Sequence, residues 1–416
     1  MCRFASTFPH FGLRREFFGP FYVYGRVRRF VNWRRPLHAV GVDFGYSGVK
    51  VVALSADRGE LTVLGAGIEP VPPGALRDGA VRDAGAVGAA LGRLLARLRV
   101  RCRVLTLAIG GGSVLVKRFP APPEAVAAGV TPGGLRDAVA REAARHVPFH
   151  LESLEFDYEG PLPADPEGAP GDPAGEGLAA VVFGAAPREV VLEHCRAAAA
   201  AGREATRVEL EPYALHGAVG LADRVAGVDR DSGALAIVEI GASRAGVHVF
   251  GKARPGGPGV RGGARTPDIQ APAGGPADLL ASVPVPGAGA PAVDGASTGA
   301  ESGVTPVPPG SERPARWHED RGDRAEAVPH RLAAAAREAF REAGLGQVDR
   351  LLLSGGGGVS PAVRGGLEEF TPGDPAVLDP LEGLDPTVCG PAYSVAAGLA
   401  YQAILDRSGP GRGLRS

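Results

Sequence analysis

Two hairpins built to one plan, far apart in the chain, constrain this sequence more than any other feature. The first is "AVGVDFGYSGVKVVAL", residues 39–54; the second is "GALAIVEIGASRAGVHVFG", residues 233–251. In each, an apolar strand runs into an acid, a glycine and small residues, then a second apolar strand follows. A chain that repeats such a unit builds two similar halves, and the rest of the sequence has to connect them.

The residues in the turns carry chemistry. Glycine brings the backbone close to a ligand without a Cβ clash, so each turn offers N–H groups to a phosphate. Asp43, Gly45, Ser47 and Lys50 form the first candidate set, and Glu239, Gly241 and Ser243 the second. Lys50 is placed to reach a phosphate oxygen, and Asp43 and Glu239 to hold Mg²⁺ through water, as hard cations prefer. A late apolar strand ends in "SGGGG", so Gly355, Gly356 and Gly357 are expected to open the surface where a nucleoside lies. Plainer readings exist for each part: Asp43 and Gly45 make an ordinary tight turn, and "SGGGG" a flexible one. The repeat and the spaced lysine favour the phosphate reading.

The intervening pattern is α/β. "GELTVLGAGIEP", "CRVLTLAIGG", "SVLVKRFP", "LESLEFDYEG" and "GLAAVVFGAAP" read as strands, the second and third of these as a pair. "DAGAVGAALGRLLARLR" puts Val87, Leu91, Leu94, Leu95 and Leu98 on one helical face. Residues 252–316 have no aromatic before Trp317, and 25 of the 63 residues 252–314 are Gly or Pro. Such a stretch buries too little to offset its ordering entropy, so disorder is expected there. A helix is expected to resume at "PHRLAAAAREAFREAGL".

Composition excludes several classes. Net charge is −1, which gives no electrostatic reason to expect a nucleic-acid partner. The four cysteines are scattered without a CxxC pair, which fits a reducing compartment. His146 and His150 flank Pro148 and read as helix-end or surface residues, with no third metal ligand nearby. The first 37 residues are basic and aromatic. They read either as a membrane-surface segment or, the reading we favour, as a stretch ahead of a translation start near Val31 or Leu37. No apolar run approaches the roughly 20 residues a membrane helix needs, so a cytoplasmic protein is expected.

With "DFGYSGVK", "EIGASRAGV" and "LLLSGGGG" on the page, the chain resembles the actin, sugar-kinase and heat-shock-chaperone ATPases. Within them it is similar to the PilM family of type IV pilus assembly, through "VGVDFGYSGVKVVAL", "REAARHVPFHLESLEFDYE", "VELEPYAL" and "AYSVAAGLAY". The resemblance implies an actin-like, ribonuclease H-like two-lobed fold with an inserted α+β subdomain and, here, a long disordered insertion. The expected division is 38–69 with 206–225 as first lobe and 70–205 as inserted subdomain. Residues 232–251 with 328–408 make a reduced second lobe, and 252–327 a linker. It implies ATP and Mg²⁺ as ligands, held weakly, because Glu239 stands where the motif usually has aspartate and no helical pattern follows the second hairpin. Glu211 falls where the superfamily often places a water-orienting residue. The implied partner is the cytoplasmic tail of a PilN-like single-span membrane protein, met by Val139, Arg141, Arg145 and Phe149. A secretion ATPase is a further implied partner, and the inner face of the plasma membrane the implied place. Val139 and Phe149 also have a plain reading as core. An active ATPase or kinase, or an FtsA-like cell-division scaffold, is the alternative to a pilus scaffold.

Overall fold

The computed structural model describes residues 36–77, 79–126, 132–147, 149–162, 180–228, 233–251, 279–286, 321–357, 360–388 and 390–408. Nearly all of the basic-aromatic stretch, and residues 252–278 and 287–320 of the expected linker, lie outside them.

The first hairpin pairs β1 (Leu37–Gly45) with β2 (Gly48–Asp57), and β3 (Glu60–Glu69) continues the meander. A short β4 (Leu76–Arg77) and β5 (Ala80–Val81) then lead to helix α1 (Ala84–Arg97). Asp83 caps α1, its carboxylate accepting the Ala86 N–H at 2.9 Å. β6 (Val104–Ile109) follows and pairs parallel with β1.

The inserted subdomain begins at β7 (Leu115–Pro120) and continues through α2 (Pro123–Val126), α3 (Pro132–Ala143), β8 (Leu154–Leu162) and β9 (Ala180–Pro187). Its sheet has the order β7-β9-β8. Phe119, Val139, Ala143, Val147, Leu154 and Phe183 form its core under α3. Helix α4 (Arg188–Ala200), β10 (Glu204–Leu210) and helix α5 (Glu211–Ala226) return to the first lobe.

The first sheet therefore has the order β10-β6-β1-β2-β3. Two expectations change here. β6 does not pair with β7; its partners are β1 and β10. Residues 70–109 and 188–205 thus belong to the first lobe, not to the insertion. Parallel partners are distant in sequence, so local pattern reading assigned β6 to its chain neighbour.

The second lobe contains β11 (Leu235–Ile240), β12 (Arg244–Phe250), β13 (Leu279–Pro286), helix α6 (Arg321–Glu342), β14 (Arg350–Ser354), helix α7 (Pro361–Gly365) and β15 (Ala376–Val377). Its sheet order, β13-β12-β11-β14-β15, repeats the first strand for strand. The expected reduced lobe is thus a full five-stranded sheet. Its third strand comes from the stretch expected to be disordered. Leu279, Ala281, Val283 and Val285 alternate inward, and Pro284 is tolerated because β13 is an edge strand. Helix α6 also starts at Arg321, ahead of Pro329, which lies inside it. The missing N–H costs one helical bond, and burial of Val328, Leu332, Ala336 and Phe340 against the sheet outweighs it.

The last helix, α8 (Ser394–Ser408), was assigned to the second lobe in sequence. It packs instead on the first sheet, where Ala396, Ala400, Tyr401 and Ile404 cover Ala39, Val52, Leu54 and Ala56. Between the lobes, α5 and α8 share a core with Ile237, Phe250, Leu279 and Leu352 of the second sheet. A bidentate pair joins the lobes on the same side, Arg350 donating to both Asp223 oxygens at 2.9 and 3.1 Å.

Candidate functional site

Antiparallel register explains the seven-residue spacing of the first hairpin. In β1–β2, Asp43 stands directly opposite Lys50. Cross-strand neighbours share a face of the sheet, so the lysine Nζ donates to Asp43 Oδ2 at 3.0 Å. In the second hairpin the residue opposite Glu239 is Gly246, so no cation stands directly across from that acid.

The two turns face each other across a cleft lined by Asp43, Lys50, Arg77, Glu211, Glu239, Ser243 and Arg244 among others. Gly45, Ser47 and Gly241 also line it. The structure thus brings together eight residues singled out in sequence. Arg244, the first residue of β12, was not among them. Its Nη2 donates to both oxygens of Glu211, at 2.9 and 3.0 Å. The available signal was a long cation inside a run of small residues, in the hairpin that lacks a lysine partner.

Burial and charge set the protonation of this cluster. Burial opposes the Lys50 ammonium, yet Asp43, Glu239 and Glu211 together hold its pKa above the ordinary value. Burial opposes the Arg244 cation too, and Glu211, Glu239 and Asp43 more than compensate, raising its pKa. For Glu239, burial and then the Glu211 charge push the carboxyl up to about 8, against the pull of Arg244 and Lys50. The direction of this shift favours the protonated form of Glu239.

This arrangement does not fit a divalent ion as the motifs implied. Asp43 is bonded to Lys50, Glu211 is held by Arg244, and Glu239 is favoured neutral. Among the described residues no group of three or more His, Cys, Asp or Glu is arranged to hold a metal. Glu211 is likewise committed to Arg244 through both oxygens, which leaves it poorly placed to orient a water.

Gly355, Gly356 and Gly357 do not line the cleft. Gly355 donates to Pro391 O and Gly357 to Ile240 O, each at 3.0 Å, so two amides of the run serve local packing. The partner residues separate into two kinds. Val139 is fully buried in the core of the inserted subdomain, facing Phe119 and Phe183 rather than an open groove. Phe149 is 57 % exposed. Arg141 and Arg145 are exposed as well, paired with Glu124 at 3.6 Å and Glu142 at 2.8 Å.

The family profile described as "Type IV pilus assembly protein PilM" matches residues 41–254. The chain belongs to the PilM family. The match takes in the first lobe apart from α8 and the start of β1, the inserted subdomain and the second hairpin. The solved structure described as "PilM-PilN type IV pilus biogenesis complex" superposes on 88 % of this chain and 98 % of its own, at 21 % identity and a TM-score of 0.60. Ethanolamine utilization protein EutJ from Carboxydothermus hydrogenoformans aligns over 89 % of this chain and 92 % of its own, at 15 % identity and a TM-score of 0.37. A Bacteroides thetaiotaomicron protein described as having an actin-like ATPase fold aligns over 87 % and 95 %, at 8 % identity and a TM-score of 0.40. This PilM-family chain has the actin-like fold.

Proposed function

We propose that this chain is a scaffold of type IV pilus assembly that holds the cytoplasmic tail of a PilN-like single-span membrane protein. The observation that carries the reading is the family match over 41–254, which spans the whole inserted subdomain. The likeness to a PilM-PilN complex agrees with it. The tail lies between the first lobe and the inserted subdomain. There Phe149 offers an apolar anchor, and Arg141 and Arg145 offer charge to an acidic tail residue. Short-tail recognition needs such an anchor and such a charge more than it needs area. The tail tethers the protein to the inner face of the plasma membrane, and a secretion ATPase is a second partner in the same assembly. No helix among the described residues is long and apolar enough to cross a membrane.

ATP binding in this reading is weak or vestigial. Asp43 is already paired with Lys50 and Glu211 with Arg244, so phosphates have to displace existing bonds to reach either cation. Steady hydrolysis near about 1 s⁻¹, within the ordinary enzyme range, would overturn the scaffold assignment.

The tail reading is tested by pull-down and titration with the N-terminal tail peptide of the single-span protein encoded beside this one. Reversing both charges, Arg141→Glu with Arg145→Glu, is expected to weaken binding at least about tenfold, or about 1.4 kcal/mol. Asp43→Ala is expected to leave binding unchanged. A tail that binds equally to the reversed variant, or does not bind the wild type, sinks the groove assignment.

A further inference from the structure

We propose that Arg244 is the resident cation of the interlobe cleft, latching the second lobe to Glu211 of the first and holding the place that a divalent ion would take. This goes beyond the scaffold reading and does not depend on the pilin-machinery partner.

The geometry is built around the guanidinium. Arg244 starts from the first position of β12 and reaches Glu211 at the start of α5 in the other lobe. Three glycines of the first lobe clear its path. A Cβ on Gly79 would lie 2.3 Å from Nη1, one on Gly111 would lie 2.7 Å from Nη1, and one on Gly110 would lie 2.7 Å from Nη2. A Cβ on Gly110 would also meet Glu211 Oε2 at 1.8 Å, so the carboxylate is seated with its partner. Two separate loops, between β4 and β5 and after β6, therefore lack side chains where the cation passes.

The pair is also sheltered. The Glu211 side chain is 8 % exposed and that of Arg244 21 %. An ion pair this buried is costly to break, because the survivor is left as an uncompensated charge. A solvent-exposed bridge would carry no such penalty. The cleft has need of the cation: Asp43 and Glu211 both line it, and Lys50 is bonded to Asp43 alone. In the absence of Arg244 the natural neutralising agent is a small dication.

The test uses the full chain without nucleotide, in chelator and in millimolar MgCl₂. The wild type is expected to melt at the same temperature in both. Arg244→Ala is expected to melt lower in chelator, to exchange amide hydrogens at least about tenfold faster in 110–113 and 241–246, and to recover part of both losses with Mg²⁺. Arg244→Lys keeps a cation and is expected to remain insensitive to Mg²⁺. Glu211→Gln is expected to speed exchange in the same two segments without gaining a metal response. If Arg244→Ala does not fold, the Lys and Gln variants decide the matter. The proposal fails if Mg²⁺ stabilises the wild type, or if Arg244→Ala gains no metal response. It also fails if exchange in those segments is unchanged in Glu211→Gln.

Discussion

Replacing Gly398 with alanine is expected to lower the melting temperature by about 3–5 °C, the shift that a loss of about 3 kcal/mol produces in a protein of this size. Helices α5 and α8 cross here with almost no separation. A Cβ on Gly398 would lie 1.8 Å from the backbone oxygen of Ala214 and 2.7 Å from the backbone nitrogen of Ala218. Backbone atoms in a helix have nowhere to go, so the helices must part and open the core between the lobes. Gly217, on the facing helix, is the control. The nearest atoms to its Cβ would be those of the flexible Gln402 side chain, at 2.9 Å, which can swing aside at the cost of its bond to Tyr213 O. Gly217→Ala is expected to cost less than about 1 kcal/mol, since alanine also favours the helix. Thermal melts of both variants check this. Equal losses, or no loss at Gly398, contradict the packing described.

Asp157→Asn is expected to stabilise the protein by about 1–3 kcal/mol at pH 8 and to do almost nothing near pH 4. Asp157 is 5 % exposed on β8; its Oδ1 accepts the Tyr158 N–H at 3.0 Å and its Oδ2 has no partner. The Arg136 guanidinium stays 3.8 Å from Oδ1. Burial raises the carboxyl from its usual 3.8 to about 7. The folded state therefore holds a proton that the unfolded state releases between those values. Stability falls as pH rises through that window, and the cost is complete above about 7. An amide of the same shape keeps the Tyr158 bond and never ionises. Denaturant melts at the two pH values read the difference directly; an equal effect at both would mean that Asp157 ionises freely in the fold.

What was legible in the sequence was what antiparallel register and helical period write locally. Asp43 and Lys50 are seven apart because a two-residue turn sets them opposite each other, and that spacing survives in plain view. Helix α1 was legible from its apolar stripe. So was the core reading of Val139: with Leu135 and Ala143, four positions away on either side, it makes one core-facing line. β13 was hidden by averaging, because a period-two strand of eight residues sits in a Gly- and Pro-rich stretch whose overall composition argues for disorder. The place of β6 was hidden by distance, since its partners β1 and β10 lie on either side of other elements in the chain. Arg244 was hidden because the direction in which a residue at a strand's start points depends on the opposite lobe.

The position of α8 has a consequence for how the protein is made. Its arginine, Arg407, donates to the carbonyl of His38, 369 residues earlier. Through Tyr401 and Ile404, the same helix covers the side of β1 and β2 that carries Val52 and Leu54. The lobe that leaves the ribosome first is therefore the lobe that closes last. The second lobe has its own covering helix, α6, and gathers its core while the first still waits. Contacts of such long sequence separation form slowly, and apolar surface left uncovered meanwhile is open to aggregation. A ribosome halted anywhere before Ser394 carries β1 and β2 without the helix that covers Ala39, Val52 and Leu54.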